Sequence, residues 1–411
     1  MSPHVLRAAA LAAALLPIPW ATAAPFTLDQ AVELAVQRSE LTRSARAGAT
    51  SAAEMARAAG QLPDPMLTVG IDNLPATGSR RFSGSAEEMT MKRIGISQEW
   101  VSADKRTARE AVAAAAHRRE SVMEHVAAAD VRLQTALAYV DAYFAAEALR
   151  LTEQGVRHAR EELDVGKSRL STVSGSSAEA LALTGALGLA EDESAELRQQ
   201  RAAATASLQR WIGMRPDELG APPLSLIPPL EDFVSRHPQV IARQRDTEVA
   251  RQEAEASRLN RKPNWSYEVS YGQRAGRADL VSFGVSIPLQ VAPAERQDRE
   301  TAAKLAMAEK ADAELAEARR AAAGEHAGLI SDAQRLQERI ERLQTTVLLP
   351  LRQRTEATLA AYRANQAGLV MVFEARHAEL EAQRKLLNLR RELARTQTQL
   401  FFKPVDPGAT R

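Results

Sequence analysis

A few short patterns in this chain carry residue types that do chemistry elsewhere, and each fails on its surroundings. Gly166-Lys167-Ser168 has the ending of a phosphate-cradling loop, in which backbone amides wrap the phosphates and the lysine reaches them. The glycine that such a loop needs five residues earlier is Glu161, and no strand precedes it, so no nucleotide site follows. Glu374-x-x-His377 sets a carboxylate and an imidazole one helical turn apart, the spacing of a di-iron helix. A di-iron centre needs that pair twice, and the other histidines do not supply it. With 7 scattered histidines and no cysteine, a tight soft-metal site is not built either. Paired serine and histidine motifs for nucleophilic catalysis are absent. The reading is therefore of a protein that is not an enzyme, with no catalytic residues, no cofactor and no resident metal.

The rest of the chemistry is that of surfaces. The 411 residues carry 53 basic and 52 acidic side chains, a formal charge of +1, which leaves no global field to hold a nucleic-acid backbone. After the first two dozen residues no apolar run approaches the roughly 20 residues of a spanning helix, which excludes a polytopic helical membrane protein. Residues 1–23 read as a secretory signal peptide: Arg7, an alanine and leucine run from Ala8 to Leu16, and the small-x-small site Ala21-Thr22-Ala23. Cutting after Ala23 keeps Pro25 away from the scissile bond. Export normally permits disulfides, yet the chain has no cysteine for one, nor for a lipid anchor.

Alanine, leucine, arginine, glutamate and glutamine dominate, and these lose least on entering a helix. From Ala103 to about Leu163 nothing breaks the pattern, which predicts one helix of roughly 60 residues and about 90 Å. Its seam runs Val122, Val126, Ala129, Leu133, Leu137, Val140 and Phe144, in the three-and-four steps of coiled-coil packing. A second long helix is predicted over Pro293 to Leu349, with the seam Leu329, Ala333, Leu336, Ile340, Leu343 and Val347. A third carries Ala375, Ala378, Ala382, Leu386, Leu389, Leu393, Thr396 and Leu400. Alanine seams bury little area, so many helices must pack side by side.

Other segments alternate with period two. Trp265, Tyr267, Val269 and Tyr271 face one way, as do Val281, Phe283, Val285 and Ile287, and these predict two half-buried strands. Leu67, Val69 and Ile71 predict another, with Met89 to Trp100 as its partner. There Met89 and Met91 fall on one parity and Ile94, Ile96 and Trp100 on the other, which predicts a bulge near Lys92 and Arg93. The layout repeats: Glu33-x-x-Val36-x-Arg38 matches Glu231-x-x-Val234-x-Arg236, and Pro63 with Leu67 and Val69 matches Pro263 with Tyr267 and Val269. The expected organisation is a first unit over 24–221 with a strand pair at about 65–100, and a proline-rich connector at 222–230. A second unit over 231–403 has its strand pair at about 264–288, followed by a tail at 404–411. Four strands per chain are too few to close a membrane barrel, so closure would need several chains.

Four sequence features together resemble the TolC family of outer-membrane efflux ducts over essentially the whole mature chain. They are Leu28-x-x-Ala31-Val32-x-Leu34-Ala35, Leu62-Pro63-Asp64-Pro65 before the first strand, Ser207-Leu208-x-x-Trp211-Ile212-Gly213, and His237-Pro238-Gln239-Val240. The resemblance implies a mainly α fold with a small β part: long coiled-coil helices of an α-barrel plus four transmembrane β-strands per chain, internally duplicated. The barrel would be completed by trimerisation, in the outer membrane of a Gram-negative cell and extending into the periplasm. The expected function is the passive duct of a tripartite efflux system, with a periplasmic adaptor protein and an inner-membrane proton-driven RND-type pump as partners. Leu62-Pro63-Asp64-Pro65-Met66 and Gly70-Ile71-Asp72-Asn73-Leu74-Pro75 are similar to the heavy-metal, CzcC-like branch. In that frame Trp265, Tyr267, Val269, Tyr271, Val281, Phe283, Val285 and Ile287 face lipid.

The adaptor would dock on the bends Gly166 to Ser177 and Asn365 to Val370, at Gly175, Ser176, Gly368 and Leu369. Gly175 and Gly368 are expected to supply the positive backbone angles of a tight bend. Arg363, Glu374 and Arg376 are candidates for a charged gate in the lumen, although such charges commonly bridge neighbouring helices instead. The alternative function is a soluble periplasmic coiled-coil adaptor or scaffold, which should have a single hairpin among β-rich domains.

Overall fold

The computed structural model describes residues 25–170, 176–223 and 227–405; the signal-peptide reading, Gly175 and part of the connector lie outside them. The first unit opens with α1 (Leu28–Arg38) and α2 (Glu40–Ala58). Thr27 begins α1 with a reciprocal cap: its hydroxyl accepts the Gln30 N–H at 3.3 Å and its own N–H donates to Gln30 Oε1 at 2.9 Å. Ser39 breaks the two helices apart and caps α2 through the Thr42 N–H, 3.2 Å away. Strands β1 (Met66–Asp72) and β2 (Met91–Trp100) follow, then α3 (Ala103–Leu170) and α4 (Ser177–Ile212). Helix α3 has 68 residues and is roughly 100 Å long. Gly213 ends α4 at φ 73°, a left-handed cap that suits glycine.

The second unit repeats the order: α5 (Leu230–Ser235), α6 (Pro238–Arg258), β3 (Trp265–Arg274), β4 (Leu280–Ser286), α7 (Gln297–Arg342), α8 (Leu349–Arg363) and α9 (Leu369–Phe402). Between α7 and α8, Leu343–Leu348 is π-helical, so the helix expected to stop at Leu349 runs on to Arg363. Proline cannot donate to the ladder and clashes with the carbonyl a turn earlier, and the wider π turn absorbs Pro350. The same turn moves the seam. Leu343 and Leu348 are buried whereas Val347, the expected seam residue, is exposed. Pro293 to Arg296 precede α7 rather than belonging to it, and Gly166 to Leu170 are the last turn of α3 rather than part of the bend.

Each unit's tail returns to its own head. Gly220 donates to the Phe26 carbonyl at 3.0 Å, and Val405 donates to the Arg236 carbonyl at 2.8 Å. Around the first closure Leu28, Ala31, Val32, Ala35, Leu208 and Ile212 pack on Tyr139 in the main core. The Tyr139 hydroxyl lies 2.6 Å from the Phe26 carbonyl and 2.8 Å from that of Gly220, and burial pushes its pKa up to about 12. Helices α2 and α4 join the fold chiefly through α3, while α7 and α8 join through α6 and α9. The sheet has the matching order β1-β2-β3-β4, all antiparallel. The chain therefore has one side edged by β1, α2 and α4 and another edged by β4, α7 and α8.

Candidate functional site

The sheet sorts its side chains by face. Leu67, Ile96, Val269 and Phe283 lie in one cross-strand row, and Val69, Ile94, Tyr271 and Val281 in the next. This face is uncovered among the described residues: Val281 is 75% exposed and Phe283 71%, values that an ordinary hairpin capping a bundle would not leave. Trp265, Val269, Tyr271, Val285 and Ile287 are exposed beside them, while Tyr267 is half-buried. Trp100 and Trp265 close one end of the apolar belt with ring centroids 6.1 Å apart, and Lys92 stands between Ile71 and Gln273 at the other. The opposite face is polar, with Thr68, Ser270, Ser282 and Arg93, whose Nε lies 3.1 Å from Asp72.

The expected bulge is not there. Both ladders of β2 run without interruption from Met91 to Ser97, and on to Trp100 against β3. Met91 shares the polar face with Arg93, where its thioether fills the slot left by the missing side chain of Gly272. At the foot of the sheet a cavity of about 1110 Å³ is lined by Lys105, Glu99, Asn264 and Ser266. The Lys105 ammonium donates to Asn264 Oδ1 at 2.8 Å, and the Asn264 amide donates to Glu99 Oε1 at 2.8 Å. Burial, then Arg109, hold the Lys105 pKa below the usual lysine range.

At the far end the two hairpins share a small core of Leu163, Leu183 and Leu369, with Tyr362 and Phe373 against it. Leu369 is 3% exposed, so its side chain belongs to this core and not to a docking surface. Its N–H donates to Glu179 Oε1 at 3.0 Å, which places a carboxylate from the first turn of α4 on the N-terminus of α9. Ser176 is exposed and precedes α4 in extended backbone. Gly368 is also extended, at φ −79°, which corrects the expectation of a positive angle there; Asn365 takes that role at φ 62°. A Cβ at Gly368 would stand 4.0 Å from its nearest neighbour, Glu179 Oε1. Gly368→Ala is thus expected to leave stability unchanged. Asn365→Val should cost about 1–2 kcal/mol, because a branched side chain tolerates the left-handed region poorly. Thermal denaturation of the two variants side by side checks the pair, and a larger loss at Gly368 would reverse the assignment.

Of the three gate candidates, Arg363 and Glu374 are exposed. Arg376 is half-buried: its guanidinium donates to Glu162 Oε1 at 2.7 Å, and both line a cavity of about 250 Å³ between the hairpins. Sequence reasoning missed Glu162, whose side chain is 5% exposed. Burial raises its pKa above the usual carboxylate range, and Arg376 pulls it back down. The signal was its place on the buried stripe Thr152, Ala159, Leu163 and Gly166, where a charge needs a partner. Further along α9, Arg384 pairs with Glu193 and Arg395 with Asp141, so the two hairpins are laced by arginines of the second unit on carboxylates of the first. Gly155 lets the helices approach where they cross, since a Cβ there would meet Leu380 at 2.5 Å. Among the described residues no group of three or more histidines and carboxylates could hold a metal ion, and no helix is long and apolar enough to cross a membrane.

No family model matches the chain, and no curated protein matches its sequence. Its fold does match solved structures. A membrane protein from Pseudomonas aeruginosa has a TM-score of 0.78 at 15% identity, over 92% of this chain and 89% of that one. The CmeC outer membrane channel of Campylobacter jejuni gives 0.76 at 13% identity, over 92% and 85%. The outer membrane protein VceC from Vibrio cholerae gives 0.74 at 17% identity, over 92% and 96%. These matches span both hairpins and the sheet, which does not favour the single-hairpin adaptor. Mainly helical, internally duplicated and carrying one four-stranded antiparallel sheet, the chain has the TolC-like channel fold.

Proposed function

We propose that the chain is a TolC-family outer-membrane duct of a tripartite efflux system, assembled as a homotrimer. The observation that carries this reading is the sheet, which among the described residues leaves β1 and β4 without partners at its edges and an apolar face uncovered. Backbone groups in lipid must all be paired, so such a sheet is stable there only inside a closed barrel. Edge β4 of one copy would pair with β1 of the next, and three copies would close twelve strands. The sides edged by α2 and α4 and by α7 and α8 would meet in the same head-to-tail sense and continue the barrel as a helical duct. Trp100 and Trp265 at one end of the belt and Lys92 at the other suit the two membrane interfaces.

In this reading the hairpin tips, with Gly175, Ser176 and Gly368, meet a periplasmic adaptor, and a proton-driven RND-type pump of the inner membrane supplies the cargo. Heavy-metal cations are the proposed cargo, on the likeness of the segments around Asp64 and Asp72 to that branch. A duct need not coordinate what passes through it. The test is the mass of the purified mature protein and its conductance in planar bilayers: a detergent-dependent trimer that forms discrete pores is expected. A monomer that stays soluble without detergent would overturn the proposal. For the cargo, a deletion strain should lose tolerance to metal salts and keep its tolerance to organic biocides.

A further inference from the structure

The closure of the second unit contains a titratable group that the channel reading does not use. His237, at the α5–α6 junction, is 2% exposed. Its Nε2 lies 3.3 Å from Glu325 Oε2 on α7, and the other oxygen of that carboxylate pairs with the Lys403 ammonium just beyond α9. Two residues later the Val405 N–H donates to the Arg236 carbonyl at 2.8 Å, next to His237 in the chain. Phe233, fully buried, lies between the imidazoles of His237 and His326, with centroids 5.7 and 5.1 Å away. His326 Nε2 donates to the Pro228 carbonyl at 3.1 Å. The Glu325 carboxylate thus links the imidazole of the unit's head to Lys403 beyond α9, and α7 carries the link.

Glu325 Oε2 accepts, so the His237 proton resides on Nε2, where it can be donated. Nδ1 is then the bare acceptor nitrogen, and it is buried with no hydrogen-bond partner among the described residues. A second proton would place a donor at Nδ1 that faces no acceptor, on a cation beside the Lys403 ammonium. Open solvent removes both penalties.

We infer that His237 is the proton-sensitive pin of a clasp that holds the C-terminal end of α9 on the second unit, closed when the imidazole is neutral and released when it is charged. The groups that face it are Glu325 and His326 from α7, the latter across Phe233, and Lys403 from the chain end. Burial, then Lys403, push its pKa below the usual histidine range, against the pull of Glu325. The sign follows from that direction. The open form binds the proton more readily, so the clasp holds fully above the usual histidine pKa of about 6.5 and weakens as pH falls through it. Among the described residues the first unit lacks such a pin: Ser39 stands at the corresponding junction, and its closure rests on Tyr139, which does not titrate in this range. Acid should therefore loosen one unit only.

Hydrogen–deuterium exchange on the full-length protein in detergent, corrected for intrinsic rates, tests this at pH 7.5 and 5.5. The peptide over residues 399–405 should exchange up to about tenfold faster at pH 5.5, one unit below the open-form pKa. The peptide over residues 25–36 should not change. Equal acceleration of both peptides, or of neither, overturns the inference without recourse to any variant. His237→Gln, which keeps an N–H for Glu325 but cannot take a proton, should exchange slowly at both pH values, and His326→Gln should behave as wild type. Acceleration that persists in His237→Gln, or that disappears only in His326→Gln, also overturns it.

Discussion

In the proposed duct, Phe283→Arg is expected to abolish assembly in the outer membrane. Phe283 stands in the row Leu67, Ile96, Val269 and Phe283, in the middle of the uncovered apolar face. Arginine near the midplane of a barrel's lipid face costs about 2–4 kcal/mol, and a symmetric ring incurs that cost once per copy. The neighbouring Ser282 points to the polar face, in the row of Ser270, Gly95 and Thr68, so Ser282→Arg should assemble nearly as wild type. The yield of heat-resistant oligomer in membrane fractions, read on semi-native gels, distinguishes the two. Equal yields would mean that neither face meets lipid, and the opposite ranking would mean that the lumen lies on the side assigned to the membrane.

The second large effect belongs to the lacing between the hairpins. Arg376→Ala leaves the Glu162 carboxylate buried without its cation, a change that should cost about 2–3 kcal/mol at pH 7.5, since the arginine itself is partly exposed. The pH dependence distinguishes charge from packing. Burial already holds the Glu162 pKa above the usual range, and loss of Arg376 removes the main opposing influence. The folded protein then binds a proton more readily than the unfolded chain, so the penalty is full above the raised folded pKa. It shrinks as pH falls through that value, towards the unfolded value of about 4.3. Melting temperatures at pH 7.5 and 5 should therefore converge on wild type in acid, and Glu162→Gln in the same background should recover most of the loss at pH 7.5. A deficit that stays constant with pH would assign the effect to the arginine stem instead.

Element types were legible because the two periods differ, three to four along the helices and two along the strands, and because both occur twice. The strand partners around Trp265 and Val281 followed directly. What the sequence did not show was settled by contacts remote in the chain. Met91 looked apolar and so was placed with Ile94, yet a glycine on the neighbouring strand gave it room on the polar face. Pro350 looked like a helix end, but one π turn absorbs it. Glycine is the usual choice for a positive angle, yet at the second tip the angle fell to Asn365 and left Gly368 extended. Arg376 and Glu162 are 214 positions apart, so no local pattern could pair them. The fold class and the apolar sheet face could be read in advance, whereas the tip and its charges could not.

The two unlike sides of the chain bear on mixed populations. In the proposed trimer, a copy damaged along the β1 side still presents a sound β4 side, so it can join a growing ring and then refuse the next arrival. Defects confined to one side should accordingly be dominant over coexpressed normal chains, while defects that unfold the whole polypeptide should be recessive.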